Sequence, residues 1–311
     1  MTLKLTRRAA LTAAAAAPIA ATLSPTLASA QTAATPGPLA RSFKLGDFTV
    51  TTLLAGTAAR DGAKAIFGGN VSDEEFAKVS EENFVSPDAI QFYFTPTVVQ
   101  TGSETILFDT GLPNGGVPKA LEQVGLTPAD IDKVVITHMH GDHIGGMTTE
   151  DGSEIFTNAA YMTGSAEYNF FSGLEEGNQR GDLVRAKVAP FAEKITFLDD
   201  GGSVASGVTA MGSFGHTPGH MCYMLESNGQ QIVLTADLAN HYVYSFLNPD
   251  WEVRFDMDKA AAAASRRNVL GMLAADRVPM IGYHMPFPGA GFVETRDSGF
   301  RFVPVSYQMM G

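Results

Sequence analysis

The sequence predicts an α/β fold in which two β-sheets pack against each other and helices cover both outer faces. Three observations support this prediction. Apolar segments of strand length fall into two groups, one in each half of the chain. Helix-like segments follow the strands in both halves, an order typical of layered sheets covered by helices. Chemically active side chains stand directly after several of these strands, where adjoining sheets can bring them to one edge.

The first half begins with strand-like segments that are separated by turn residues. Gly46-Asp47 and Gly102-Ser103 each interrupt an apolar run with the composition of a tight turn. The pattern therefore predicts two hairpins, in which residues 43–45 pair with 48–54 and residues 91–100 pair with 105–108.

Helix signals follow in the same half. Ser72, with Glu75 three residues later, has the pattern of a capping box and begins a short helix. Residues 118–124 form a second predicted helix, and Thr127 with Pro128 at the first helical position starts a further turn.

The second half repeats the alternation of strands and helices. Its predicted elements are strands at 160–162 and 195–198, a helix at 183–193, a hairpin of 221–226 with 231–236, an Ala-rich helix at 258–275, a strand from 278 that ends in His284, and a terminal hairpin of 292–296 with 300–303. We expect these elements to form the second sheet and the helices that cover it.

The first 30 residues have the composition of an export signal. Arg7 and Arg8 precede an Ala-rich apolar stretch, and residues 28–30 offer a small-residue cleavage site. The stretch is short and interrupted by Pro18 and Pro25, which argues against a membrane anchor. The expected organisation is a twin-arginine signal peptide at 1–30, a flexible leader at 31–41 and one folded domain at 42–311. We expect a periplasmic protein that has no membrane attachment after cleavage.

The composition of the chain indicates which kinds of molecule it can bind. Cleavage would leave 281 residues with 18 basic and 33 acidic side chains, a net charge of −15 instead of −12. A chain this acidic, without a run of Lys or Arg, lacks the electrostatic signature of a nucleic-acid-binding protein. A small neutral substrate fits better. Cys222 is the only cysteine, which excludes an internal disulfide, and its apolar surroundings indicate a buried residue. The sequence leaves open whether the protein forms a homodimer.

One short segment contains most of the candidate metal-binding side chains. His138, His140, Asp142 and His143 follow the strand-like run at 134–136. Alternate side chains of an extended segment point the same way, so His138 and His140 can converge on one ion. Asp142 and His143 lie beyond a glycine, where the backbone has turned. The four groups therefore face two adjacent positions, which predicts a site for two metal ions.

Two metal sites require further ligands downstream. His216, Asp237 and His284 each lie at or near the end of a strand-like segment. Taken singly each is a weak candidate, because a histidine at a strand end is more often a hydrogen-bonded structural residue. Together they complete a set without thiolate, and sites of His and carboxylate commonly leave a position open for water.

This ligand set predicts hydrolytic chemistry. Two metal ions, with zinc the first choice, can share one water, lower its pKa and present it as a bridging hydroxide to an electrophilic carbon or phosphorus. Asp142 and Asp237 are the predicted catalytic carboxylates, and Asp142 could orient the water or move a proton to the leaving group. The sequence contains neither a G-x-S-x-G elbow nor a plausible nucleophilic cysteine.

The spacing of these residues resembles the metallo-beta-lactamase superfamily, whose pattern is HxHxDH followed by a His in a GHTPGH-like loop, a bridging Asp and a final His. The resemblance implies the four-layer αβ/βα sandwich. It also implies a first metal at His138, His140 and His216, a second at Asp142, His143 and His284, and Asp237 between them. Asp109 would support the ligand loop from behind. Residues 136–146, 284–289 and 299–305 are most similar to the methyl parathion hydrolase branch, which implies phosphotriesters or aryl esters as substrates.

Other activities of this fold remain alternatives. An acyl-homoserine lactonase would share the ligand set, but many carry Tyr three residues after the bridging Asp, where this chain has Asn240. A hydroxyacylglutathione hydrolase is disfavoured because no basic cluster is placed to hold glutathione. A mononuclear iron sulfur dioxygenase would use only part of the set. His140 stands where diiron flavoproteins place Glu. A metal-binding relative without activity is the non-enzymatic alternative.

Two further histidines and several aromatic residues complete the hypotheses. We interpret His220 as a packed residue that steadies the loop of His216, and His241 as a residue at the mouth of the site that is not a ligand. Eight aromatic residues in or beside loops are candidates to cover the metals: Phe67, Phe84, Phe170, Phe171, Tyr242, Phe246, Trp251 and Phe287.

Overall fold

A computed structural model of the protein describes residues 37–113 and 115–305. The predicted signal peptide and the predicted leader up to residue 36 lie outside the described residues. The first strand begins at Ala40, so the last two residues of the predicted leader belong to a sheet. Within the described residues, no helix is both long and apolar enough to cross a membrane.

The strands of the described residues follow one another in both halves of the chain. In chain order they are Ala40–Leu45 (β1), Phe48–Leu53 (β2), Gly56–Asp61 (β3), Ala89–Phe94 (β4), Thr97–Gln100 (β5), Thr105–Phe108 (β6), Lys133–Ile136 (β7), Ala160–Gly164 (β8), Ile195–Leu198 (β9), Ser203–Ala205 (β10), Val208–Gly212 (β11), Met221–Ser227 (β12), Gln230–Ala236 (β13), Met280–Gly282 (β14), Ala290–Arg296 (β15) and Gly299–Pro304 (β16).

The helices connect and cover these strands. They are Ala63–Phe67 (α1), Asp73–Glu82 (α2), Gly116–Glu122 (α3), Gly141–Ile144 (α4), Ser165–Ser172 (α5), Gln179–Lys187 (α6), Tyr244–Leu247 (α7) and Lys259–Asp276 (α8), with 3-10 turns at Pro128–Asp130, Gly145–Met147 and Ala189–Lys194.

Two seven-stranded sheets form the centre of the fold. The first has the order β1-β2-β5-β6-β7-β8-β9, and the second has the order β10-β11-β12-β13-β14-β15-β16. The strands β6 to β9 run parallel, as do β13 and β14, whereas the other neighbours are antiparallel. A separate antiparallel pair, β3 with β4, lies outside both sheets.

Side chains of alternating direction divide the core into layers. In β5, Val98 packs in the cluster that contains α3, whereas the next residue, Val99, packs in the cluster between the sheets. Val134 and Val135 of β7 divide in the same way. Leu234 of β13 joins the layer between the sheets from the other side. Alternate side chains of the strands thus face opposite layers, which confirms the predicted four-layer sandwich.

Helix α8 covers the outer face of the second sheet. Leu270 and Leu273 are fully buried in a cluster with Val233 and Met280 of the sheet. The side chain of Asp258 caps the helix by accepting a hydrogen bond from the backbone of Ala261 at 3.0 Å. The helix spans Lys259–Asp276, which is only one residue away from the predicted range 258–275 at each end, so the prediction is confirmed.

Two sequence predictions are wrong at proline residues. Residues 91–100 do not form one strand, because Pro96 lacks the N–H that would continue the ladder, and the chain changes partner there. Its carbonyl instead accepts a hydrogen bond from Leu53 at 2.8 Å. Likewise, the predicted helix 183–193 ends at Lys187, and a 3-10 turn that contains Pro190 follows.

Substitution of Leu273 tests the packing of α8. Leu273→Ala should lower the free energy of unfolding by about 2–5 kcal/mol, because it opens a cavity in a fully buried cluster. Asn268→Ala on the exposed face of the same helix is the control and should change it by less than about 0.5 kcal/mol. Denaturant unfolding followed by circular dichroism measures both values, and equal stabilities would contradict the assigned packing.

Candidate metal centre

Four predicted ligands lie at the carboxyl end of β7. The strand leads directly to Thr137, and His138 and His140 follow in extended backbone. The chain then turns into the four-residue helix α4, which carries Asp142 and His143. The change from strand to helix therefore sends two pairs of side chains toward different positions, as the motif predicts.

The second sheet contributes the other three residues. His216 lies in the loop between β11 and β12, Asp237 directly follows β13, and His284 lies two residues after β14. Because β13 and β14 are parallel neighbours, their carboxyl ends meet at one edge of the sheet. The structure thus brings all seven predicted side chains together at the edge where the two sheets meet.

The first group consists of His138, His140, His216 and Asp237. Nδ1 of His140 lies 3.1 Å from Nε2 of His138 and 3.0 Å from Nε2 of His216. Oδ2 of Asp237 lies 3.3 Å from Nε2 of His216 and 3.9 Å from Nε2 of His138. Four ligands at bonds of about 2.0–2.1 Å around one tetrahedral ion are about 3.3 Å apart. These separations therefore fit a single cation.

The second group consists of Asp142, His143 and His284. Oδ2 of Asp142 lies 3.4 Å from Nε2 of His284 and 3.7 Å from Nε2 of His143. Asp237 reaches this group as well, with Oδ2 at 3.0 Å from His284 and Oδ1 at 3.2 Å from His143. Its carboxylate is thus positioned between the two groups, as a bridging ligand would be.

The ionisation of these groups suits metal binding. Burial holds the pKa of His138 and of His140 well below the usual range, so both rings are neutral and offer lone pairs. Burial alone would raise the pKa of Asp237, but His284 and His143 hold it well below its usual value. Burial also opposes protonation of His143, yet the carboxylates of Asp109, Asp237 and Asp142 raise its pKa well above the usual range. The second group therefore favours a positive charge.

Buried atoms without hydrogen-bond partners support the same assignment. Among the described residues, Nε2 of His143 and Oδ1 of Asp237 are buried and make no hydrogen bond, although they face each other at 3.2 Å. Unpaired buried polar atoms are costly and rare in folded proteins. A cation between a lone pair and a carboxylate oxygen would satisfy both, so the residues present fit a divalent metal.

A second layer of acceptors fixes the orientation of the rings. Nδ1 of His143 donates to Oδ2 of Asp109 at 2.8 Å, which places Asp109 behind the ligand loop as the resemblance implies. Nδ1 of His284 donates to the backbone carbonyl of Tyr93 at 2.9 Å. When Nδ1 carries the proton, Nε2 keeps its lone pair for a metal.

His216 is held by a residue that sequence reasoning missed. Its Nδ1 donates to Oδ1 of Asp256 at 2.8 Å, and Oδ2 of Asp256 accepts from Arg266 at 2.8 Å. Burial would raise the pKa of Asp256, but His216 and Arg266 together hold it below its usual value. The one sequence signal was an arginine within the Ala-rich helix, and Arg266 is indeed only 1% exposed.

Glu167 connects the two loops that carry the first group. One carboxylate oxygen accepts from the backbone N–H of Met139 at 2.8 Å. The other accepts from the hydroxyl of Thr217 at 2.7 Å and from the N–H of Gly219 at 2.8 Å. Gly219 packs so closely that a Cβ there would lie 2.2 Å from the nitrogen of Glu167. This buried residue was also missed, because only the fold brings it to the loops.

The remaining histidines are structural. Nε2 of His220 accepts a hydrogen bond from the backbone of Asp237 at 3.1 Å, and burial lowers the pKa of His220 to about 3. The interpretation as a packed residue agrees with this contact. Nδ1 of His241 accepts from Val243 and Tyr244 at 3.1 and 3.2 Å. His241 does not line the cavity above the ligands, so its predicted place at the mouth is wrong.

A cavity of about 500 Å³ opens above the ligands. None of the eight predicted aromatic residues lines it, because most of them pack in the core or point to solvent. Besides Gly141 and Gly145, its wall has three kinds of residue: apolar Phe92, Phe94, Leu112, Pro113, Met139, Leu183 and Phe255; the ligand candidates His140, Asp142, Asp237 and His284; and basic Arg60, Arg180 and Lys187.

Substitution of Glu167 tests the connection between the loops. In Glu167→Gln the amide NH₂ group would face the N–H of Gly219 or of Met139, so two donors would oppose each other. Loss of such an outer contact typically weakens metal affinity about 10- to 100-fold. Zinc titration of metal-free protein by calorimetry should show this loss, whereas the exposed control Glu226→Gln should bind as the unaltered protein does. Unchanged affinity in a folded Glu167→Gln variant would contradict the role.

Comparison with known proteins places this centre in a family. The family model of the metallo-beta-lactamase superfamily matches residues 95–280, which include every candidate ligand except His284. N-acyl homoserine lactonase from Bacillus cereus is 24% identical over 194 residues, which cover 54% of this chain and 72% of the lactonase. The uncharacterized protein YobT from Bacillus subtilis is 26% identical over 140 residues. The matched segment covers 43% of this chain and 58% of YobT.

Solved structures agree with the family model. AidC, a dizinc quorum-quenching lactonase, has a TM-score of 0.81 at 25% identity, with 86% of this chain and 99% of AidC covered. The hydrolase AbOPH has a TM-score of 0.78 at 23% identity, with 87% and 99% covered. Since the family model covers more than half of the sequence and the fold agrees, the chain belongs to the metallo-beta-lactamase superfamily of metal-dependent hydrolases.

Proposed function

We propose that this protein uses two divalent metal ions, with zinc the expected metal, to hydrolyse an ester-like bond in a small molecule. One observation carries this proposal. The carboxylate of Asp237 lies within 3.3 Å of ring nitrogens from both ligand groups, at the floor of a largely apolar cavity. Metal ions bound there would lower the pKa of a water molecule and polarise the substrate oxygen.

The chain itself offers a proton carrier. Asp142 lines the cavity, and its side chain is 23% exposed, compared with 4% for Asp237. In hydrolysis, water adds to the carbonyl carbon or phosphorus, the bond to the leaving oxygen breaks, and that oxygen takes up a proton. Asp142 is the carboxylate that can move this proton, as the sequence predicts. Burial raises the pKa of the Cys222 thiol to about 12, which makes it unsuitable as a nucleophile.

The wall of the cavity favours aryl esters and phosphotriesters with aryl leaving groups. Phe92, Phe94 and Phe255 form an aromatic wall, and the rings of Phe92 and Phe94 lie 5.2 and 5.6 Å from that of His284. Such a wall can hold an aromatic group next to the ligands and exclude water from it. The segments at 284–289 and 299–305 add support for the methyl parathion hydrolase branch.

Lactones are the second candidate substrate. The similarity to AidC over 86% of this chain favours them. The position of Asn240 argues against them, because its amide donates to Oδ2 of Asp237 at 2.9 Å, where many lactonases have a tyrosine. A mononuclear iron dioxygenase would leave the second ligand group without a metal, so we rank it lower.

A substrate panel tests the proposal. The mature protein loaded with zinc should bind two ions per chain and hydrolyse aryl esters or phosphotriesters faster than lactones and thioesters of matched size. Asp237→Ala should lose one metal and at least about 100-fold in turnover while it remains folded, since it removes the residue shared by both groups. Asp276→Ala, exposed at the end of α8, is the control.

Three results would contradict the function. They are full turnover by Asp237→Ala, one iron per chain with oxygen consumption, and bound metal without hydrolysis of any compound in the panel. Elemental analysis and initial rates, measured on the same preparations, separate these outcomes.

We also propose that the protein is exported to the periplasm through the twin-arginine route. Replacement of both Arg7 and Arg8 by lysine should leave a protein of full length in the cytoplasm, because the paired arginines are the recognised feature of such signals. Lys4→Gln is the control and should not change export. Cell fractionation followed by mass spectrometry of the N-terminus measures both. Periplasmic, cleaved protein from the variant without the arginine pair would contradict the proposal.

A further inference from the structure

Two arginine side chains on the cavity wall are not engaged by other residues. Arg60 lies in β3 and Arg180 in the first turn of α6, and both are exposed. Within the described part of the chain, neither guanidinium makes a hydrogen bond or ion pair. The nearest acidic residue on α6, Asp182, pairs instead with Arg185. Both guanidinium groups are therefore available to a bound molecule.

The charge of the cavity is opposite to that of the chain. The wall has three basic residues, since Lys187 joins Arg60 and Arg180, but its two acidic residues both belong to the ligand groups. Bound divalent ions would more than neutralise those two carboxylates. The chain as a whole carries a net charge of −12. A positive cavity in an acidic protein concentrates anions in the cavity.

Arg180 lines the same cavity as the ligand candidates His140 and Asp142, so its guanidinium can reach a molecule bound there. Lys187 lies in the same wall, where its ammonium group donates to the carbonyl and hydroxyl oxygens of Thr148 at 3.1 and 2.6 Å. Of the three cations, Arg60 and Arg180 thus retain free donors.

We propose that Arg60 and Arg180 bind a carboxylate of the substrate. This inference rests on the proposed function and specifies its substrate class: an ester with an apolar body and one carboxylate away from the bond that is cleaved. Guanidinium groups match carboxylates through paired, charge-assisted hydrogen bonds. The apolar wall holds the body of the molecule, and the ligand groups face the ester. This proposal differs from the neutral substrate that the composition of the chain favours.

The two guanidinium groups make this a specificity site. Neither is a ligand candidate, so their removal should change the choice of substrate more than the chemistry. A charge-assisted hydrogen bond contributes about 1.5–3 kcal/mol, equivalent to about 10- to 150-fold in affinity, with the lower end expected at an exposed wall.

A matched pair of esters tests the proposal. The first is the 4-nitrophenyl monoester of adipic acid, which has a free carboxylate, and the second is its methyl ester, which is neutral and of similar length. In the zinc-loaded protein we expect kcat/KM for the carboxylate ester to exceed that for the methyl ester by about 10-fold. The preference should fall with added salt, because exposed charges are screened.

Charge-removing variants identify the responsible residues. Arg60→Gln and Arg180→Gln should each reduce this preference by about 3-fold, and the double variant should abolish it, with the loss in KM of the carboxylate ester rather than in kcat. The control is Arg301→Gln, which removes the same charge from an exposed pair with Glu294 on the terminal hairpin and should keep the preference. A second readout is the dissociation constant of the corresponding anilide of adipic acid, a slowly cleaved analogue, by calorimetry.

The outcomes separate this inference from the proposed function. Equal kcat/KM values for the two esters in the unaltered protein, or an unchanged preference in the double variant, would overturn the inference and leave the hydrolase intact. Hydrolysis of neither ester would count against the proposed function. In that case the dissociation constant of the anilide tests the inference. If the anilide binds more weakly to the double variant than to Arg301→Gln, the inference is supported. If it binds equally to both, the inference is overturned.

Discussion

The centre depends on the interactions that stabilise the buried carboxylate of Asp237. A carboxylate that is removed from water must be compensated by positive charge or hydrogen bonds, because its desolvation costs several kcal/mol. Asn240 donates one hydrogen bond to Oδ2, while Oδ1 has none among the described residues. The observed compensation comes from His284 and His143, which hold the pKa of Asp237 well below its usual value, and a bound divalent cation would add to it. The buried position of Asp237 therefore requires positively charged or hydrogen-bonding partners from both halves of the fold.

Three of the five imidazole rings of the centre are each held from behind by a different part of the fold. Asp109, which directly follows β6, orients His143, the Tyr93 carbonyl in β4 orients His284, and Asp256 orients His216. These supports are themselves buried or paired, so the ligand geometry depends on the packing of both sheets. Such an arrangement explains how a chain without a disulfide can hold the candidate ligand atoms of each group within 4.8 Å of one another: the packing of the sandwich keeps them in place.

The sequence predicted which His and Asp side chains come together, but it predicted the rest of the site poorly, for a physical reason. The ligands follow apolar strands, and strand ends can be recognised from local composition. Arg60, Arg180 and Glu167 have no local signal, because they reach the site only through the packing of separate elements, and the one indication of Asp256 was the arginine in α8. The cavity aromatics were missed for a related reason. Phe92 and Phe94 alternate along a predicted strand, which resembles ordinary core packing, and only Pro96 hinted that this strand leaves the main sheet.

The proposed substrate-binding residues and the candidate metal centre meet at the small β3–β4 sheet. Phe92 and Phe94 of β4 line the cavity, and the residue between them, Tyr93, supports His284 through its carbonyl. Arg60 lies in the paired strand, where its register partner is Ile90. A side chain exchanged on this sheet can change the cavity wall while the backbone contact to His284 remains. A shift of the strand itself would move both. If the proposed substrate site is right, substitutions on this sheet should change substrate preference, whereas insertions should also disturb His284, because its hydrogen bond uses the backbone of Tyr93 rather than a side chain.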